Sequence, residues 1–212
     1  MRFRWRSVVV VLALALTACG GGGGGGDDAV GPDPATGKAA DVGVARTIVL
    51  QQSDMPTGWK AAAHSEDPVE RARARDLSLC LGRPDPEGFR SAIIYGPDMS
   101  MGQTQVSSIA TVLNTVDDAH ADLDAVRGPK YVGFLVTAFR DDLQRQAPTA
   151  RVENVASEPL AVETFGDGSV GIRLTADLVY ADHTDHLFAD LVYISKDRAT
   201  VSATFFSPRA AT

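Results

Sequence analysis

Val170-Gly171-Ile172-Arg173-Leu174-Thr175-Ala176-Asp177-Leu178-Val179-Tyr180 sets Val170, Ile172, Leu174, Ala176, Leu178 and Tyr180 on one parity and Arg173, Thr175 and Asp177 on the other. Successive side chains of a strand point to opposite faces, so this period of two marks a strand with one face in a core and the other toward water. Leu187 to Ile194 and Ala199 to Phe206 repeat the theme across short polar turns. Together they predict a three-strand antiparallel meander of long strands. Within it, the neighbours Phe205 and Phe206 must face opposite ways.

Upstream the period lengthens. Tyr131, Phe134, Leu135, Ala138, Phe139 and Leu143 recur at intervals of three and four, with Arg140, Asp141, Asp142 and Arg145 on the other side. This predicts a helix from Tyr131 to Gln146 with one packed face and one wet face. Thr115-Val116-Asp117-Asp118 offers cap residues for a helix over Ala119 to Val126, which Gly128-Pro129 closes. Phe89 to Tyr95 and Gln103 to Val112 read as a hairpin around Gly96-Pro97-Asp98 and Gly102. Ala45 to Gln52 reads as a short helix ahead of the turn Asp54-Met55-Pro56-Thr57-Gly58, and Val69 to Leu81 admits a helix or an irregular segment. Helices first and strands last predict an α+β domain, an antiparallel sheet with a C-terminal meander packed by helices.

Outward from this block, the N-terminus has a different character. Arg2, Arg4 and Arg6 precede an apolar run from Val8 to Leu16, followed by Thr17, Ala18 and Cys19. Basic, apolar and small segments in that order describe an export signal, and the run is too short for a spanning helix. Leu16-Thr17-Ala18-Cys19 resembles the lipobox of bacterial lipoprotein signal peptides. That resemblance implies cleavage after Ala18 and lipidation of Cys19, the alternative being an ordinary secretory signal with an incidental cysteine. Acyl chains add about 0.8 kcal/mol per buried methylene, so two or three would hold the protein on the extracytoplasmic face of the cell membrane. Seven glycines, Gly20 to Gly26, and a Pro/Gly-containing stretch to Asp41 follow. Their composition predicts a disordered tether with a mean reach of roughly 25 Å. The expected organisation is thus a signal peptide over 1–18, lipidated Cys19 and tether over 19–41, one globular domain over 42–208 and a tail over 209–212.

The formal charge of −7 becomes −10 when the three arginines leave with the signal. This speaks against nucleic acid as a partner, since phosphate neutralisation needs clustered cations. The one such cluster, Arg71, Arg73 and Arg75, has Glu70 and Asp76 beside it and reads as a solvated face.

Candidate chemistry is sparse. Asp182-His183-Thr184-Asp185-His186 offers two imidazoles and two carboxylates, a weak metal candidate in a segment whose composition suits a hairpin turn. Asp117, Asp118, His120, Asp122 and Asp124 lack the glycine and closing Glu of a calcium loop and read as a solvated helix start. Gly166-Asp167-Gly168-Ser169-Val170-Gly171 matches the dinucleotide glycine pattern in letters only, because a strand follows where a helix is required; Gly166 to Gly168 reads as a hairpin turn. Cys80, between Leu79 and Leu81, reads as a small buried hydrophobe or as a thiol that pairs between chains.

The order of elements, with the Asp54 to Trp59 turn, Leu79-Cys80-Leu81-Gly82 and the terminal meander, resembles actinobacterial lipoproteins related to the extracellular sensor domains of mycobacterial serine/threonine kinases. The resemblance implies a PsbP-like sandwich. It also implies a disulfide at the position of Cys80, for which this chain has no second cysteine in the folded part. The expected function is a non-enzymatic envelope domain that binds a small molecule, a lipid or a protein partner, without cofactor. The alternative is an envelope hydrolase or metal-dependent enzyme using Asp182 to His186.

Overall fold

The computed structural model describes residues 36–65, 68–82 and 87–210; the lipobox, Cys19 and the glycine run lie outside them. The elements are β1 (Thr36–Gly37), α1 (Ala39–Ile48), β2 (Lys60–Ala62), α2 (Pro68–Cys80), β3 (Arg90–Tyr95), β4 (Asp98–Met101), β5 (Thr104–Leu113), α3 (Val116–Arg127), α4 (Pro129–Gln146), β6 (Arg151–Pro159), β7 (Gly168–Val179), β8 (Thr184–Lys196) and β9 (Ala199–Ala210). The fold is α+β. Its antiparallel sheet runs β1-β3-β5-β9-β8-β7-β6, with β4 also against β5 and β2 outside β4.

The expected β3–β5 pairing is present, but its connection contains β4, which turns into β5 at Gly102 with φ 63°. The meander has a fourth strand, β6, and Gly166 to Gly168 is not a tight hairpin turn. Pro159 pairs with Ile172, whereas β7 begins at Gly168, so the chain must travel back along β7 before entering it. Residues 160–167 make that journey, held by the Leu160 amide donating to the Gly171 carbonyl at 2.9 Å. Within β6 the register shifts between Glu153 and Ala156 at Asn154, whose φ is 51°, and the Asn154 amide donates to Asp177 at 2.7 Å.

Alternation sorts the side chains of β7 to β9 as the sequence predicts. Ile172, Leu174, Ala176 and Leu178 lie with Leu187, Ala189, Leu191, Tyr193 and Phe206 under Leu77, Leu123, Leu135, Phe139 and Leu143 of α2, α3 and α4. Each fully buried Leu or Phe contributes roughly 1.5–3 kcal/mol. α3 is started by a reciprocal cap, Thr115 Oγ1 accepting from the Asp118 amide at 3.0 Å while the Asp118 carboxylate accepts from the Thr115 amide at 3.1 Å.

Four expectations on this side are corrected. Asp142, placed on the wet face, is 0% exposed, because Arg73 of α2 and Arg145 both donate to its carboxylate and cross-link α2 to α4. Arg73 is therefore not part of a solvated face. Asp122 is likewise buried, accepting the Tyr193 hydroxyl; burial, then the Asp122 charge, pushes the Tyr193 phenol far up. Cys80 is exposed, since α2 buries Ala74, Leu77 and Ser78 and both Leu79 and Cys80 fall outside that stripe.

α1 covers the opposite face, packing Val42, Ala45 and Val49 on Ala92, Ile94, Ala110 and Val112 of β3 and β5. It begins at Ala39, six residues before the expected helix and inside the stretch assigned to the tether. Asp41 and Val42 are buried, so the folded part starts earlier than residue 42. Among the described residues, no helix lies over β6, β7 and β8 on this second face.

Candidate functional site

The other parity of β7, β8 and β9 lines that open face. Arg173 of β7 grips Asp190 of β8 through Nε at 2.6 Å and Nη2 at 2.7 Å, and its guanidinium carbon lies 5.7 Å from the centre of the Phe188 ring. Phe205 stands half-buried beside Asp190, while Phe206 points into the helix-covered core.

At one end of the face lies a groove of about 530 Å³, within the ~300–1,000 Å³ range of small-molecule sites. Val112, Ile194 and Val201 form its floor, Val44 and Ile48 of α1 one wall, and Phe165 with Gly166 the other. The second wall rests on Gly171. A Cβ there would come within 2.3 Å of the Leu160 carbonyl oxygen and 2.9 Å of Val162, so only glycine lets the loop lie against the strand. Ser169 fastens the loop further, its hydroxyl donating to the Glu163 carbonyl at 2.7 Å.

Both walls are tied to one turn. Arg198, in the β8–β9 turn, donates Nη2 to Asp41 of α1 at 2.7 Å and Nη1 to the Leu113 carbonyl at 2.8 Å; the Ser91 hydroxyl also donates to Asp41. Next to it Asp197, at φ 52°, donates its amide to the Asp167 carboxylate of the loop at 2.6 Å. The hydrogen bond from Arg198, then that from Ser91, holds the Asp41 carboxyl below its ordinary range, and Asp41 in turn raises Arg198. The groove is thus a largely apolar trough with the Asp41–Arg198 pair and the exposed Lys196 and Asp197 at its end, an arrangement suited to burying apolar surface.

The predicted cluster is divided. His183 donates Nδ1–H to the Asp182 carboxylate at 2.7 Å, has Asp185 at 3.6 Å from Nε2, and stacks on Tyr180 with ring centres 4.6 Å apart. His186 meets Asp177 of β7 through Nδ1 at 2.5 Å. One imidazole therefore closes the β7–β8 turn and the other stands on the open face. Among the described residues, no three His, Cys, Asp or Glu side chains converge to hold a metal ion. The bond to Asp182 raises the His183 pKa and lowers that of Asp182; Asp177 is lowered by Asn154 foremost and also by His186.

Sequence reasoning missed the groove. Its one local signal was Gly171, a glycine at an outward position of an otherwise alternating strand, which marks close approach of another backbone.

The fold and groove define an α+β domain whose antiparallel sheet carries helices on both faces and an apolar trough beside α1. A scan against protein families finds no match to the chain, and a search of curated proteins finds none. Among solved structures the chain is similar to the extracellular domain of PknH from Mycobacterium tuberculosis, with a TM-score of 0.36 and 11% identity, covering 77% of this chain and 84% of that one. No helix of the described residues is long and apolar enough to cross a membrane.

Proposed function

We propose that this protein is a lipid-anchored extracytoplasmic domain that binds a ligand with an apolar portion in the groove between α1 and residues 160–167, and performs no chemistry on it. The observation that carries the reading is the groove, an apolar trough whose two walls are held apart by separate ties to the β8–β9 turn. The arginine-apolar-small leader ending at Cys19 supports the envelope address, with Cys19 as the lipidated residue.

The test is native mass spectrometry of the full chain extracted from its own membranes in mild detergent. Wild type is expected to carry a small apolar or amphiphilic molecule, and Val201→Trp, which fills the floor, to come away empty with an unchanged far-UV spectrum. Wild type that is empty under the same conditions refutes the binding reading.

A further inference from the structure

The register of the sheet locates the chain's entry point relative to the groove. Gly37 of β1 lies opposite Ala92, Ala92 opposite Val112, Val112 opposite Ala199 and Ala199 opposite Lys196. A single rung therefore runs from the first described strand to the groove, whose lining includes Val112, Ala199 and Lys196. Four strand spacings of ~4.8 Å make that rung roughly 19 Å long. The next element in the chain, α1, supplies a wall of the same groove. Residues 20–35 separate the cysteine from Thr36, and that length of chain spans at most roughly 60 Å when fully extended.

The groove's mouth has a second property. Val44 on one wall is 43% exposed and Phe165 on the other is 50% exposed, two large apolar side chains held half in water on either side of the same trough. Val69, Leu79, Phe89, Met101 and Val116 are comparably exposed elsewhere; what sets Val44 and Phe165 apart is that they flank one trough. Charge does not select the partner, because the chain is formally −10 without its leader and anionic surfaces repel it. What remains is insertion into hydrocarbon, which scales with the apolar area buried.

We propose that the groove mouth faces the bilayer that holds Cys19, with Val44 and Phe165 dipping into the lipid and the trough between them taking the acyl chain of a bilayer lipid. This rests on the reading of Cys19 as lipidated and of the groove as the ligand site, and gives that site its ligand class.

The experiment uses the full chain purified from membranes and reconstituted into phosphatidylcholine vesicles carrying lipid brominated in the upper acyl chain. Phe165→Trp is compared with Val116→Trp, at the start of α3 on the opposite side of the sheet, with the wild-type Trp59 signal subtracted. Insertion to interfacial depth is expected to quench emission from position 165 about twofold, unchanged by high salt, and to leave position 116 unaffected. Adding Val44→Asp is expected to relieve the quenching at 165. Quenching at 165 no greater than at 116, on protein that floats with the vesicles, overturns the docking while leaving the anchor intact. Protein that fails to float, and that behaves identically as Cys19→Ala, overturns the anchor and the docking together.

Discussion

The two faces of β7 and β8 arise from the same residues taken alternately, yet they differ in almost every physical respect. On the helix-covered side Leu174, Leu187 and Leu191 are essentially inaccessible to water, and even the acids there, Asp142 and Asp122, are enclosed with their partners. On the other side Arg173, Asp190 and Phe188 remain half-buried, and the cover is partial, a helix at one end and a folded-back loop at the other. The contrast teaches that a strand can divide its labour by parity. One face supplies the burial that holds the domain together, leaving apolar surface on the other only partly covered.

The strongest way to break this division is to truncate an aromatic on each side. Phe139→Ala, at a position 0% exposed, is expected to cost about 3–5 kcal/mol of unfolding free energy, and Phe205→Ala on the open face about 1 kcal/mol or less. Urea denaturation measures both, and equal costs would mean that the open face is also structural. A smaller effect sharpens the comparison at the groove. Gly171→Val forces the Leu160 to Val162 segment off the strand, and is expected to lower stability by about 1–3 kcal/mol and to abolish the ligand that the proposed reading expects in native mass spectrometry; retention of both stability and ligand would show that the loop is not a wall.

The smallest effect is in the pH dependence of the wall on α1. Because Arg198 holds the folded pKa of Asp41 below 3.8, their tie stabilises the fold fully above the unfolded value and is lost as the pH falls through the lowered one. Melting temperatures recorded from neutral to strongly acid pH should therefore decline more gently in Asp41→Asn, which starts lower. Parallel curves would show that the pair does not fasten α1.

Where an element's pattern is local, the sequence discloses it. The alternation of 170–180 and the three-four spacing of 131–143 both specify which side chains are buried, because period alone decides that. Features made by distant partners are silent. Asp41 and Arg198 are 157 residues apart and Arg73 and Asp142 are 69 apart, and neither acid differs locally from a solvated one. The first six residues of α1, Ala39 to Val44, escaped for the same reason. Its small residues and early acid resemble the preceding glycine- and proline-containing stretch until Arg198 and the β3–β5 face are present to bury them. Of the site residues read from sequence, the Asp182 to His186 group had the right composition for ligands, but strand parity at His186 sends its ring toward Asp177 and away from His183.

The bulge in β6 has a consequence at the level of populations. β6 ends the sheet, and among the described residues no strand lies on its outer side; such a border is a template on which another copy could zip. On the anchor proposed at Cys19, copies held on one bilayer would meet more often than in free solution, which would make the hazard larger. Asn154, turned left-handed and pinned to Asp177, breaks the strand into two short runs, and Pro159 removes a donor where the second run stops. Were the chain anchored at Cys19 as proposed, these two interruptions would keep encounters on the bilayer from extending the sheet.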